Sequence, residues 1–284
     1  MRILQNENIE LAFKFCYLAA CVFHNKVPDT DNFNKADLSK LYDLSQKHSM
    51  TALIYTALEK TAASGLNPQL MAEWKTEREK AVRNNLLFDA ERKKLTDFME
   101  KNKIWYTQLK GIVIKALYPG AGLRQMSDND ILFDPQFREK VKTYFESNGY
   151  EPKSLGNGCH DTYIKKPVYN FELHVMLFED FYKTELTEYF NKISSRLLSH
   201  SENKYEKVFS YEDFYLYFIA HSHKHYYTYG IGIRFLCDLY LILKNYYELN
   251  SIVIFLTQYR KLVNLHFPSV LLFKMLDFLQ AYNI

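Results

Sequence analysis

Glycine and proline are scarce in this chain of 284 residues, at 9 and 7. That scarcity argues against a loop-rich all-β fold and against low-complexity disorder. Cysteine is equally sparse. Cys16, Cys21, Cys159 and Cys237 form no CxxC pair, and most lie in apolar surroundings. Buried thiols in a reducing, cytoplasmic setting are expected. Charge of one sign is also lacking: 36 Lys and Arg face 33 Asp and Glu, a net of +3. So small an excess gives no strong nucleic-acid signal. The longest apolar runs, such as "FYLYFIA", are far too short for a membrane span. The first residues have no basic segment leading into a long apolar run, so a signal peptide is not expected.

What is present is apolar and aromatic. Hydrophobic residues make up 48% and aromatic residues 16%, enough for one large or two modest cores. Residues 1–100 carry apolar positions at three- and four-residue spacing, and "QLMAEWKTEREKAVRNNLLFDAERKKLTDFMEKN" suits one long helix or two nearly joined. Near residue 102 the pattern changes. "IWYTQLKG" suits a strand ending at Gly111, "IVIKALYPG" a helix, and "DNDILFD" a second strand. "PQFREKVKTYFESNGY" suits a helix, and "DTYIKK" and "YNFELHVML" suit two more strands. From about 183 helical spacing returns, ending in "PSVLLFKMLDFLQAYN". The expected fold is α+β. A small mixed sheet over 101–182 lies between an N-terminal helical region, 1–100, and a C-terminal one, 183–284.

The acids of "SDNDILFD" are either the solvated rim of a loop or the ligands of a metal. Alternation along a strand puts Asp128 and Asp130 on one face and Asn129 on the other. Two like charges so placed repel, and a divalent cation between them removes the conflict. In "NFELHV", Glu172 and His174 likewise share a face. If that strand neighbours the first, Glu172 completes a three-carboxylate cluster suited to Mg²⁺ or Mn²⁺. Two such ions on three carboxylates are a common device for phosphoryl or nucleotidyl transfer. Other acidic motifs fit less well: an EF-hand needs glycine where Phe133 stands, and a haloacid-dehalogenase-type phosphatase needs Gly-Thr where Ile131-Leu132 follow. Upstream, the strand–Gly–helix passage at Lys110-Gly111 lets backbone N–H groups approach a phosphate.

"AHSHKHYY" places His221 and His225 four apart on one helical face, without an evident third ligand for zinc. Arg234 and Asp238, also four apart, suit a simple ion pair.

Taken together, "LKGIVIKALYPGAGLRQMSDNDILF" resembles the core of the polymerase-β-like nucleotidyltransferases, and more closely the family of uncharacterised nucleotidyltransferases. The likeness covers roughly residues 80–245. It rests on Leu109-Lys110-Gly111, Arg124, Asp128, Asp130, Glu172 with His174, and a helical tail with His221, His225 and Asp238. Two departures stand out: Lys110-Gly111 replaces the usual Gly-Ser or Gly-Gly, and the third acid is Glu172 where Asp is common. The resemblance implies an enzyme moving a nucleoside monophosphate from an NTP, ATP among them, onto an acceptor hydroxyl. Asp128, Asp130 and Glu172 would be catalytic and metal-binding, with Glu172 also a candidate base. Lys110, Gly111 and Arg124 would meet the nucleotide, and His174, His221, His225 and Asp238 would line an acceptor pocket. The acceptor is open: a small molecule, a protein side chain or an RNA end. The alternatives are a non-catalytic or partner-dependent interaction protein on the same fold, such as a toxin–antitoxin component or pathway accessory, and a different phosphoryl-transfer enzyme using the same cluster.

Overall fold

The computed structural model describes residues 2–31, 33–61, 67–156, 158–179, 185–228 and 232–246. The chain opens with helices α1 (Arg2–Phe23), α2 (Lys35–Lys47), α3 (Thr51–Glu59) and α4 (Pro68–Lys101). Caps set their borders. Asn34 and Asp37 form a capping box at α2, each side chain accepting the other's backbone N–H. At α4 the Asn67 side chain accepts the N–H of Gln69, and Pro68 takes a first-turn position where a missing N–H costs nothing. The charged segment from Pro68 is therefore one helix of 34 residues.

Beyond α4 come β1 (Tyr106–Gln108), the short helix α5 (Lys110–Ile114) with a 3₁₀ turn after it, β2 (Asn129–Phe133) and α6 (Arg138–Ser147). Then follow β3 (Glu151–Ser154), β4 (His160–Lys165) and β5 (Tyr169–His174). The five strands form a mixed sheet in the order β1-β2-β5-β4-β3, in which only β2 and β5 run parallel. The α+β architecture expected from the sequence is the one observed.

Alternation sorts the sheet into two faces. Ile131, Phe133, Tyr163, Phe171 and Leu173 pack on one side with Leu95 and Met99 of α4 and with Val141 and Phe145 of α6. Phe145 stacks on Tyr163 at 4.4 Å between ring centroids. Each such ring or aliphatic side chain contributes about 1.5–3 kcal/mol by leaving water. Asn129 also points to this side, donating to the Phe88 carbonyl and accepting from Arg92. Leu132 turns the other way, into a second apolar cluster with Phe15 and Leu18 of α1, Leu53 of α3, and residues of α8 and α9 described below. Across that cluster the N-terminal and C-terminal helices pack together, and Asp130 and Glu172 look out from the same sheet face.

Two elements depart from expectation. β3, "EPKS", carries no strand signal, because its residues are polar and include Pro152. It pairs only with β4, at the sheet edge, where a proline and exposed charges are tolerated. The region after 183 is not helical throughout: after α7 (Glu185–Asn191), a two-stranded ribbon of β6 (Leu198–Ser199) and β7 (Lys207–Val208) interrupts it. Helices α8 (Tyr211–Thr228) and α9 (Ile233–Tyr246) follow as expected. The segment "PSVLLFKMLDFLQAYN" lies outside the described residues. Among the described residues no helix is long and apolar enough to cross a membrane. All four cysteines carry thiols rather than disulfides, and Cys21, Cys159 and Cys237 are buried.

Candidate active site

The strand register assembles the acids. Asp130 of β2 lies directly opposite Glu172 of the parallel strand β5, so their side chains stand side by side on one face. Asp128 sits one residue ahead of β2 and, by alternation, on that same face. Two residues along β5, His174 follows Glu172 and places Nε2 2.9 Å from Asp130 Oδ1. Lys110 Nζ donates to the same oxygen at 3.0 Å. The turn that delivers this lysine is tight. The Leu109 N–H bonds the Asp130 carbonyl, and Lys110 then takes φ +41°, a left-handed conformation normally left to glycine.

Three neighbouring acids, Asp130 buried and Asp128 and Glu172 partly so, do not ionise alike. Burial opposes the charge on Asp130, yet Lys110 and His174 outweigh it and hold this carboxyl well below its usual range. Burial and then the neighbouring Asp130 push Asp128 up. Glu172 is lifted by burial, Asp130 and Asp128 to about 7, near neutrality. His174 is lowered to about 4, chiefly by burial, so at neutral pH it is an uncharged ring donating from Nε2 to Asp130. Lys110 stays charged: against desolvation, Tyr217, Asp130 and Glu172 raise its pKa. One ammonium thus stands among three carboxyls, and burial together with the surplus negative charge lifts Glu172. The carboxylates offer the hard oxygen donors that Mg²⁺ or Mn²⁺ takes, while among the described residues the ligand atoms that lie within 4.8 Å of one another are those of His160, Glu172 and His174.

Gly111, Arg124 and Asp238 also come together. The Arg124 guanidinium lies over Gly111, where any Cβ would collide with Nη1 and come within 2.9 Å of Met126 Cε. Arg124 is buried and grips Asp238 at two points, Nε to Oδ1 at 2.9 Å and Nη2 to Oδ2 at 2.8 Å. Tyr118 donates to Asp238 Oδ1 as well, at 2.8 Å. This corrects the expected pairing of Asp238 with Arg234, four residues back on α9. Asp238 instead turns inward to Arg124, while Arg234 Nη1 donates to the Gln125 carbonyl. Nothing in helical spacing could have revealed a partner 114 positions away.

His221 and His225 meet on α8 with their Nε2 atoms 2.8 Å apart. His221 is held well below its ordinary value by burial, then by Lys110 and His225, with Asp130 acting in the opposite sense. Tyr217, one turn earlier and fully buried, sits within electrostatic reach of Lys110, Asp130 and Glu172. Sequence reasoning missed Tyr217 and His160. The latter opens β4 directly opposite His174, with Nε2 3.8 Å from Glu172 Oε2. The only signal for His160 was its place at the start of "HDTYIK", two strands from the DND motif.

The sequence profile described as an uncharacterised nucleotidyltransferase matches residues 34–262. The chain belongs to that family. By this membership it is a transferase of the nucleotidyl class, and an NTP is the substrate the family implies. No curated protein matches. Among solved structures, a lincosamide antibiotic adenylyltransferase, LnuA, with lincomycin bound is 17% identical, with a TM-score of 0.38 over 56% of this chain and 97% of the other. An antigenic nucleotidyltransferase-like protein from Paracoccidioides brasiliensis is 16% identical, with a TM-score of 0.35 over 57% of this chain and 75% of its own.

Proposed function

We propose that the protein is a metal-dependent nucleotidyltransferase that moves a nucleoside monophosphate from an NTP to an acceptor hydroxyl. The observation that carries this reading is the register of Asp130 against Glu172, with Asp128 adjoining and Lys110 bonded to Asp130. Asp128, Asp130 and Glu172 would hold the divalent cation, Mg²⁺ or Mn²⁺. When bound, such an ion supplies charge stabilisation at the phosphate and lowers the pKa of a coordinated hydroxyl.

The chain's own groups divide the rest of the work. Lys110 Nζ, already at the cluster, neutralises phosphate oxygens of the incoming NTP. Gly111, lacking a Cβ, leaves the room over the turn that the Arg124 guanidinium takes, so the phosphate would meet the turn through that side chain. Arg124 keeps Asp238 on one edge and turns Nη1 toward Gly111, so it positions the turn and offers a donor there. The acceptor oxygen forms a bond to the α-phosphorus, the bond from that phosphorus to the bridging oxygen breaks, and pyrophosphate leaves. Glu172, a quarter exposed beside the cluster, receives the hydroxyl proton. His174, His221 and His225 line the side from which the acceptor would enter. A reducing, cytoplasmic setting suits four thiols.

Thermal shift against four NTPs, with and without Mg²⁺, tests the reading. Metal-dependent stabilisation of the native protein by at least one NTP is expected, with its loss in Asp128→Asn/Asp130→Asn. If no NTP raises the melting temperature of the native protein, the non-catalytic interaction reading on this fold replaces it.

A further inference from the structure

Nitrogen donors adjoin the carboxylates, and they belong to the sheet rather than to a loop. β4 runs antiparallel to β5 with His160 opposite His174, and the two rings lie 4.8 Å apart between centroids. Nε2 of each ring is 3.8 Å from Glu172 Oε2, and one ligand atom from each of His160, Glu172 and His174 lies within 4.8 Å of the other two. Asp130 Oδ1 adds an oxygen 2.9 Å from His174 Nε2. Metal–nitrogen and metal–oxygen bonds of about 2.1 Å place neighbouring donors roughly 3.0–3.5 Å apart, so the 3.8 Å separations would close by about 0.3–0.8 Å, and the two histidine donors, within 4.8 Å of each other, would draw together as well.

Two further observations favour an ion here. His174 Nδ1 is buried with no hydrogen-bond partner among the described residues, so nothing opposes moving the ring proton from Nε2 to Nδ1, which would free the Nε2 lone pair for an ion in place of the bond to Asp130. The His160 side chain is 36% exposed, which gives an ion an entry from solvent. Magnesium selects oxygen and sheds water reluctantly, whereas imidazole suits the borderline first-row transition metals.

We propose that this cluster takes a first-row transition-metal ion in preference to Mg²⁺, through His160 and His174 together with Glu172. The inference rests on the reading that the acidic cluster holds a divalent cation. His160 is then the residue that sets which ion it holds.

Calorimetric titration of Co²⁺ and of Mg²⁺ into the chelator-stripped full chain tests this, using the native protein, His160→Gln and Asp130→Asn. The native chain should bind Co²⁺ at least 10-fold more tightly than Mg²⁺. His160→Gln should lower Co²⁺ affinity about 10-fold and leave Mg²⁺ affinity within 2-fold, and Asp130→Asn should weaken both. Both ions binding the native protein with a ratio that His160→Gln leaves unchanged overturns the ion preference and leaves the acidic cluster standing. Neither ion binding the native protein overturns both. Pulsed electron paramagnetic resonance of the Mn²⁺-loaded native chain gives a readout that does not depend on a variant folding. Nitrogen-14 couplings from coordinated imidazole are expected, and their absence removes the histidines from the coordination sphere.

Discussion

Arg124 and Asp238 form a buried two-point ion pair between the segment that leads into β2 and helix α9, at 2.9 and 2.8 Å. The pair ties the glycine turn at Gly111 to the C-terminal helices, since Arg124 also roofs that turn. Removing one partner strands the other charge away from water. Arg124→Met or Asp238→Leu should therefore each destabilise the fold by about 3–5 kcal/mol, while Arg124→Met/Asp238→Leu should cost less than either alone. Arg124→Lys should resemble the deletion, because an ammonium cannot reproduce the fork. Urea unfolding of the four variants checks this, and a strictly additive double variant contradicts it.

Gly111 and Gly149 separate two reasons for having a glycine. At Gly149, φ is +73° but a Cβ would meet nothing within 4 Å, so Gly149→Ala should cost only the left-handed backbone penalty, about 1–2 kcal/mol. At Gly111 the backbone is ordinary and the obstacle is steric, from Arg124 and Met126. Gly111→Ala should cost about 1–3 kcal/mol through overpacking and should also weaken NTP binding, whereas Gly149→Ala leaves NTP binding unchanged. Paired thermal shifts with and without nucleotide distinguish the two.

Lys110 combines a left-handed backbone with a charge on a buried acid. In an Asp130→Asn background the acid no longer needs the ammonium, and the backbone term is isolated. Lys110→Gly/Asp130→Asn should then be more stable than Lys110→Ala/Asp130→Asn by about 1 kcal/mol. Equal unfolding midpoints for the two double variants would show that the φ of +41° carries no strain.

The sheet was largely legible because its strands alternate. Ile131 and Phe133 on one face and Asp130 on the other already imply a core strand with acids turned away from that core. Caps such as Asn67-Pro68 and Asn34 with Asp37 mark helix starts in the letters themselves. β3 was not legible, because an edge strand tolerates proline and charge and so has no period to read. Nor was the partner of Asp238, since long-range ion pairs leave no local signature and α9 offered Arg234 as a plausible decoy. His160 escaped for a related reason. Its role depends on the β4–β5 register, which sets it against His174 and cannot be counted from spacing in β2.

Glu172 provides the test with the most definite sign. Its carboxyl rises from an ordinary 4.5 to about 7 in the folded chain, by burial and then by Asp130 and Asp128. A carboxyl raised on folding binds its proton more tightly in the native state than in the unfolded one. The folded state therefore loses stability as pH climbs from about 4.5 to 7, and the loss is complete above that window. Glu172→Gln removes the penalty without changing size. In the chelator-stripped protein it should stabilise the fold by about 3 kcal/mol at pH 8 and by almost nothing at pH 4. Saturating divalent ion should reverse the order at pH 8, because the native carboxylate then gains a ligand that the amide cannot replace. Chemical denaturation at pH 4 and pH 8, with and without the ion, measures all four corners. A Glu172→Gln advantage that is the same at both pH values would mean that Glu172 does not share the charge of Asp128 and Asp130, and the cluster would lose its third acid.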